Sequence, residues 1–175
     1  MMVKTHIHNI QWYQRPLTLF VNYNKPRKST NIMDYKAIEL KMLHSMPLFD
    51  IELSRSCNAN CCFCPRKKLS DQNPIMDNET ITEVIKWIPK NSSVILAGLG
   101  EPLLNDNIFD AIEKLRKKDI AVSLISNGIL LTDDVMDRLY ESGLNEIQIS
   151  LHTLDADLHK KVTGTDKFST IVENI

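Results

Sequence analysis

Cys57, Cys61, Cys62 and Cys64 are the only cysteines of the chain, and all four fall within eight residues. Disulfide frameworks spread their cysteines to tie distant segments together, which a cluster this tight cannot do. Crowded thiolates instead bind iron–sulfur clusters or zinc. The spacing is Cys57-x3-Cys61-x2-Cys64, with Phe63 directly before the last cysteine and Pro65 after it. A structural zinc site takes four ligands, typically as two separated pairs, and this chain has no second pair of cysteines. Three well-spaced thiolates suit a four-iron cube whose remaining iron can chelate a small molecule. Zinc, with His152 as a distant fourth ligand, and redox cysteines are the alternatives that spacing leaves open. Cys62 sits beside Cys61 and reads as a small, partly buried hydrophobe rather than a ligand.

Three further segments carry groups that can meet a ligand: Gly98-Leu99-Gly100-Glu101-Pro102, Ser126-Asn127-Gly128 and Ser150-Leu151-His152. Glycines let a backbone approach a ligand closely, and free carbonyls beside a proline can accept from an ammonium group. Each segment alone is equally a tight turn or a satisfied polar site. Their positions relative to the secondary structure raise their weight.

Phe49, Ile51 and Leu53 alternate with Asp50 and Glu52, which predicts a strand over residues 49–54 leading into the cysteine loop. Asp77 can cap a helix whose apolar face is Ile81, Val84, Ile85 and Ile88, ended by Pro89. Further strands are expected at 94–97, 120–125 and 147–151, starting about every 26–27 residues. The helices between them carry Ile108, Ala111, Ile112 and Leu115 on one face, then a Thr132 cap followed by Asp133 and Asp134, with Gly143 as the stop. Lys117 and Lys118 suit the negative end of the helix that precedes them. Phe168, Ile171, Val172 and Ile175 open one more helical stripe. This alternation predicts an α/β fold with parallel strands. Periodicity does not separate an open doubly wound sheet from part of a (β/α) barrel. In either, ligands bind at the C-terminal ends of the strands, so the cysteine loop and the three polar segments are expected on one edge.

The cysteine motif resembles that of the radical S-adenosylmethionine (radical SAM) superfamily, CxxxCx(aromatic)C, with Phe63 at the aromatic position. Gly100-Glu101-Pro102 is similar to that family's Gly-Glu-Pro segment after its second strand. The resemblance runs from about Leu48 to Ile175, the first two-thirds of a (β/α)6 TIM-like barrel. It implies a [4Fe-4S] cluster on Cys57, Cys61 and Cys64, with S-adenosylmethionine on the fourth iron. Phe63 would lie near the adenine, and Gly98, Gly100, Glu101 and Pro102 around the amino group. Ser126 and Asn127 would line the cofactor site, and Ser150 would contact ribose or carboxylate. His152 stands where relatives often have aspartate. The implied activity is reductive cleavage to a 5′-deoxyadenosyl radical that abstracts hydrogen from the substrate. An external flavodoxin- or ferredoxin-like donor would supply the electron. Cys64-Pro65-Arg66 hints at a peptide substrate.

The composition limits the alternatives. The net charge of −1 provides no global field for nucleic acid, and Lys25, Arg27 and Lys28 read as a solvated loop. No apolar run approaches a membrane span or a signal peptide, so a cytoplasmic location is expected. His6, His8, His44 and His159 lie outside any motif and read as surface or packing residues. Residues 1–45 are set apart as an extension, with 46–175 as the partial core domain. Within the extension, Leu17–Tyr23 reads as a strand, 24–31 as a loop and 34–44 as a short helix. Counting four strands against six βα units predicts an unpaired edge on strand 147–151, a helix cut short after it, and a need for a partner chain to complete the barrel. A truncated, non-catalytic remnant or accessory subunit is the corresponding alternative function.

Overall fold

The computed structural model describes residues 11–13, 18–22, 47–68 and 75–175. The expected loop at 24–31 and helix at 34–44 lie outside the described residues, as do His6, His8 and His44. The strands are β1 (Gln11–Tyr13), β2 (Thr18–Asn22), β3 (Leu48–Ile51), β4 (Ser93–Leu96), β5 (Ala121–Ser126) and β6 (Glu146–Ser150). They form one sheet in the order β1-β2-β6-β5-β4-β3. β3 to β6 are mutually parallel and in sequence order, as the βα rhythm predicts. The helices are α1 (Asn78–Trp87), α2 (Ile108–Arg116), α3 (Asp133–Glu141), α4 (Ala156–Thr163) and α5 (Phe168–Asn174).

The caps read from sequence form as expected. Asp77 accepts from the Thr80 amide at 2.7 Å, and Thr132 accepts from the Val135 amide. Ile108, Ala111, Ile112 and Leu115 are all buried, matching their spacing on one helical face. Lys118 acts on a different helix from the one expected. Its ammonium donates to the carbonyls of Ile85 and Ile88 at 2.7 and 2.8 Å, capping the C-terminal end of α1.

The alternation along the strands explains where the helices lie. Val94, Leu96, Val122, Leu124, Ile147 and Ile149 point to one face and merge with the helix stripes into a single core. The intervening Ile95, Ser123, Ile125, Gln148 and Ser150 are only half-buried on the other face. A doubly wound sheet would bury both faces under helices. One covered and one open face is the layout of a barrel wall, and the fold is a partial TIM-like barrel.

Three further expectations need correction. β3 ends at Ile51 rather than 54, because Glu52 turns its side chain to the next loop and Ser54 forms an isolated antiparallel bridge with Ile75. The outer edge of β6 is not open. β2 pairs with it antiparallel from Thr18↔Ser150 to Asn22↔Glu146, so a strand from the N-terminal segment satisfies the edge that strand counting left bare. The helix after β6 is not merely begun: α4, absent from the sequence reading, is closed by an Asp155 cap and by Gly164, and α5 follows with Ile171 buried. Among the described residues no helix is long and apolar enough to cross a membrane.

Candidate functional site

The loops after β3, β4, β5 and β6 meet at one edge of the sheet, centred on the cysteine loop. All four cysteines are free thiols; Cys57, Cys61 and Cys64 are partly buried, whereas Cys62 is exposed, not the partly buried hydrophobe expected from its place beside Cys61. The Cys61 thiol is pushed up from its ordinary value by burial, then by the neighbouring Cys57 and Cys64. A Cys61 thiol whose proton affinity is raised in this way is held as a thiolate when a cation binds it. Among the described residues, no three side chains of His, Cys, Asp or Glu converge on the position of a single metal ion. Cluster thiolates each bind a separate iron, so they need not converge.

The loop after β4 clamps the cysteine loop from one side. The Glu101 amide donates to the Ser56 carbonyl at 2.8 Å, and Cys64 Sγ lies 3.9 Å from the Leu99 carbonyl oxygen. A Cβ on Gly100 would fall 2.1 Å from the Ser54 carbonyl oxygen and 2.5 Å from that of Ser56, so only glycine permits this approach. Gly98, at φ +155°, stacks against the side chain of Glu52, whose carboxylate accepts from the Leu99 amide at 2.6 Å and from Arg55 Nε at 2.6 Å. Pro102 is buried and opens a short 3-10 turn, Pro102–Leu104.

Glu101 faces inward. It is 2% exposed and accepts from Ser126 Oγ at 2.8 Å, the Asn127 amide at 2.8 Å and the Leu103 amide at 3.3 Å. Burial raises its pKa, against those hydrogen bonds. The Ser126 hydroxyl is thus engaged with Glu101 and, as acceptor, with the Gly128 amide. Asn127 reaches the opposite way: its Nδ2 lies 3.8 Å from Cys57 Sγ and donates to Asn58 Oδ1 at 2.6 Å. The Ala59 amide also donates to Cys57 Sγ, at 3.4 Å. Such N–H···S contacts orient a ligand sulfur and tune a cluster's potential.

Beyond β6, Ser150 ends the strand and His152 has φ +66°, a left-handed conformation costly for a side chain with a Cβ. The His152 ring meets Phe63 edge-on at 5.2 Å, and burial lowers its pKa. Phe63 is 61% exposed, so most of its face is accessible. An open cavity of about 470 Å³ adjoins these loops on the uncovered face, lined by Asp50, Glu52, Ile95, Ala97, Gly98, Leu99 and Ile125.

The family model of the radical SAM superfamily matches residues 51–175. This chain belongs to the radical SAM superfamily. A probable GTP 3′,8-cyclase of Saccharolobus solfataricus is 37% identical over 134 residues, 74% of this chain and 43% of that protein. The radical SAM chain described here therefore spans less than half the length of that curated relative. Among solved structures, His6-tagged anSMEcpe with bound AdoMet superimposes with a TM-score of 0.54 at 24% identity, over 74% of this chain and 39% of the other. Streptococcus suis SuiB bound to the precursor peptide SuiA gives 0.51 at 21% identity, over 85% and 36%. These two likenesses establish the shared barrel fold.

The structure brings Cys57, Cys61, Cys64, Gly98, Gly100, Glu101, Pro102, Ser126 and Asn127 to one edge, with Phe63 and His152 beside them. Sequence reading missed Glu52, Asn105 and the end of α4. Asn105 is fully buried, and its Nδ2 donates to the carbonyls of Leu53 and Met76 at 2.8 Å each. No local signal marks Glu52 or Asn105, because each serves a backbone group distant in sequence. α4 did carry a signal: Asp155 and Gly164 bracket one helix length with the usual cap residues.

Proposed function

We propose that this chain forms the cofactor-binding part of a radical SAM enzyme. Cys57, Cys61 and Cys64 hold a [4Fe-4S] cluster, and S-adenosylmethionine binds beside it. The supporting observation is that the three other strand-end loops, after β4, β5 and β6, all engage the cysteine loop through direct contacts. Together these groups supply the chemistry of reductive S-adenosylmethionine cleavage and hydrogen abstraction, driven by an external one-electron donor.

The protein's own part is positioning and exclusion. Asn127 and the Ala59 amide donate toward Cys57 and hold its sulfur in place. Gly98 to Pro102 presents backbone at the cofactor side, and the exposed face of Phe63 offers a surface for an adenine. Glu101 and Ser126 act from behind, fixing one loop to the other, while Ser150 lies at the ribose side. The open cavity along β3 to β5 receives the substrate. Similarity to the probable GTP 3′,8-cyclase favours a purine nucleotide over the peptide suggested by Cys64-Pro65-Arg66.

The test is anaerobic reconstitution with iron and sulfide, followed by metal analysis and measurement of 5′-deoxyadenosine with reductant and S-adenosylmethionine. Alanine at Cys57, Cys61 or Cys64 should abolish four-iron assembly, whereas Cys62→Ala should retain it. Cluster loss in Cys62→Ala with retention in Cys57→Ala would overturn the ligand assignment. Consumption of GTP or of a peptide distinguishes the two substrate classes.

A further inference from the structure

The cysteine loop is tied on a side that neither the motif nor the strand-end segments account for. The Asn60 amide donates to the Thr163 carbonyl and the Cys62 amide to the Val162 carbonyl, each at 2.8 Å. Val162 and Thr163 are the last residues before the Gly164 cap of α4. The final carbonyls of a helix have no partner within it, and here two of them take amides of the cysteine loop. Those amides belong to the residues on either side of Cys61. The peptide backbone is therefore held before and after the middle cysteine of the motif.

Gly164 makes the arrangement possible. Its φ of +66° ends the helix in the left-handed region, and its amide donates back to the Lys160 carbonyl at 2.9 Å. A Cβ there would lie 2.6 Å from the Asn60 carbonyl oxygen and 3.0 Å from Asn60 Cβ. The first of these is backbone, which cannot swing aside as a flexible side chain would. The helix end is anchored in turn. Thr163 Oγ1 donates to the His159 carbonyl at 2.8 Å, His159 and Thr163 are both buried, and the His159 ring packs on Phe168 of α5 at 5.5 Å.

We infer that the C-terminal end of α4, through the Val162 and Thr163 carbonyls and the close approach at Gly164, is a positioning element that sets Cys61 for iron binding. The inference rests on the cluster assignment proposed above. It adds that residues about 100 positions beyond the motif control the ligand geometry, as outer partners of metal ligands generally do.

The experiment compares Gly164→Ala with Gly143→Ala. Gly143 also has a left-handed φ, +87°, and follows α3, but the atoms nearest a Cβ there belong to the flexible Arg116 side chain, at 3.2 Å and beyond. Both variants carry left-handed strain at a helix end, and only one faces the cysteine loop. Gly164→Ala is expected to weaken iron uptake about 10–100-fold and to change the EPR spectrum of the reduced cluster. Gly143→Ala should match the wild type in both. Equal iron loss in the two variants, or wild-type uptake and EPR in Gly164→Ala, overturns the inference. Hydrogen exchange on the reduced, iron-free wild-type chain provides a reading that needs no variant to fold. The Asn60 and Cys62 amides should exchange as slowly as those within α4, and exchange at open-loop rates overturns the inference. A wild-type chain that takes up no iron refutes the cluster reading, while amide exchange still decides whether the helix end holds the loop.

Discussion

Glu101→Ala tests how the two central loops are held together. The substitution deletes the acceptor for Ser126 Oγ, the Asn127 amide and the Leu103 amide. Ser126 is 2% exposed, so its hydroxyl loses its acceptor without water to replace it. A buried donor left unsatisfied costs about 1–3 kcal/mol. The Asn127 amide is only part-buried and recovers some of its loss from solvent, and removing a buried carboxylate returns some desolvation energy. The net expectation is about 3 kcal/mol of destabilisation, or a fall in Tm of about 6–12 °C for a chain of this size.

The pH dependence is more specific. Burial raises the Glu101 pKa, so the folded state binds a proton more tightly than the unfolded chain does. This contribution to stability is full below the ordinary carboxylate range and is lost as pH rises through the raised value. The wild type should therefore lose stability over that window, while Glu101→Ala and the isosteric Glu101→Gln should lack this component. The gap between wild type and Glu101→Ala should narrow as pH rises. Anaerobic urea unfolding at several pH values measures both quantities. A change below about 0.5 kcal/mol, the usual range for an inconsequential surface substitution, or parallel pH profiles, would refute the reasoning.

Gly100→Ala forces a Cβ to within 2.1 Å of the Ser54 carbonyl oxygen, and should cost about 1–3 kcal/mol while releasing the Glu101 amide from Ser56. Faster hydrogen exchange at Glu101 would report that release, and wild-type protection would contradict it. Asn105→Ala strips the Leu53 and Met76 carbonyls of their shared buried donor, and should cost about 2–4 kcal/mol in chemical unfolding. Asn105→Asp should not rescue it, because a carboxylate cannot donate to either carbonyl.

The sequence by itself determined what is local and periodic. The stripe Ile108, Ala111, Ile112 and Leu115, the Asp77 and Thr132 caps and the four parallel strands were legible because each is specified within a few residues of itself. The cysteine spacing was legible for the same reason: ligand geometry within one loop is written as residue separation. Periodicity left the barrel and the open sheet unseparated, and the motif's resemblance implied the barrel. The tertiary structure decided which face the helices cover and so showed the sheet as a barrel wall. It alone paired β2 with β6, since an antiparallel edge strand can come from any segment long enough to reach. It also decided that Glu101 turns inward to Ser126 and Asn127, and that two backbone carbonyls at the end of α4 hold the amides flanking Cys61. Every residue carries a backbone amide and a carbonyl, so no residue type announces such bonds. They become visible only when folding brings the two stretches of chain within 3 Å.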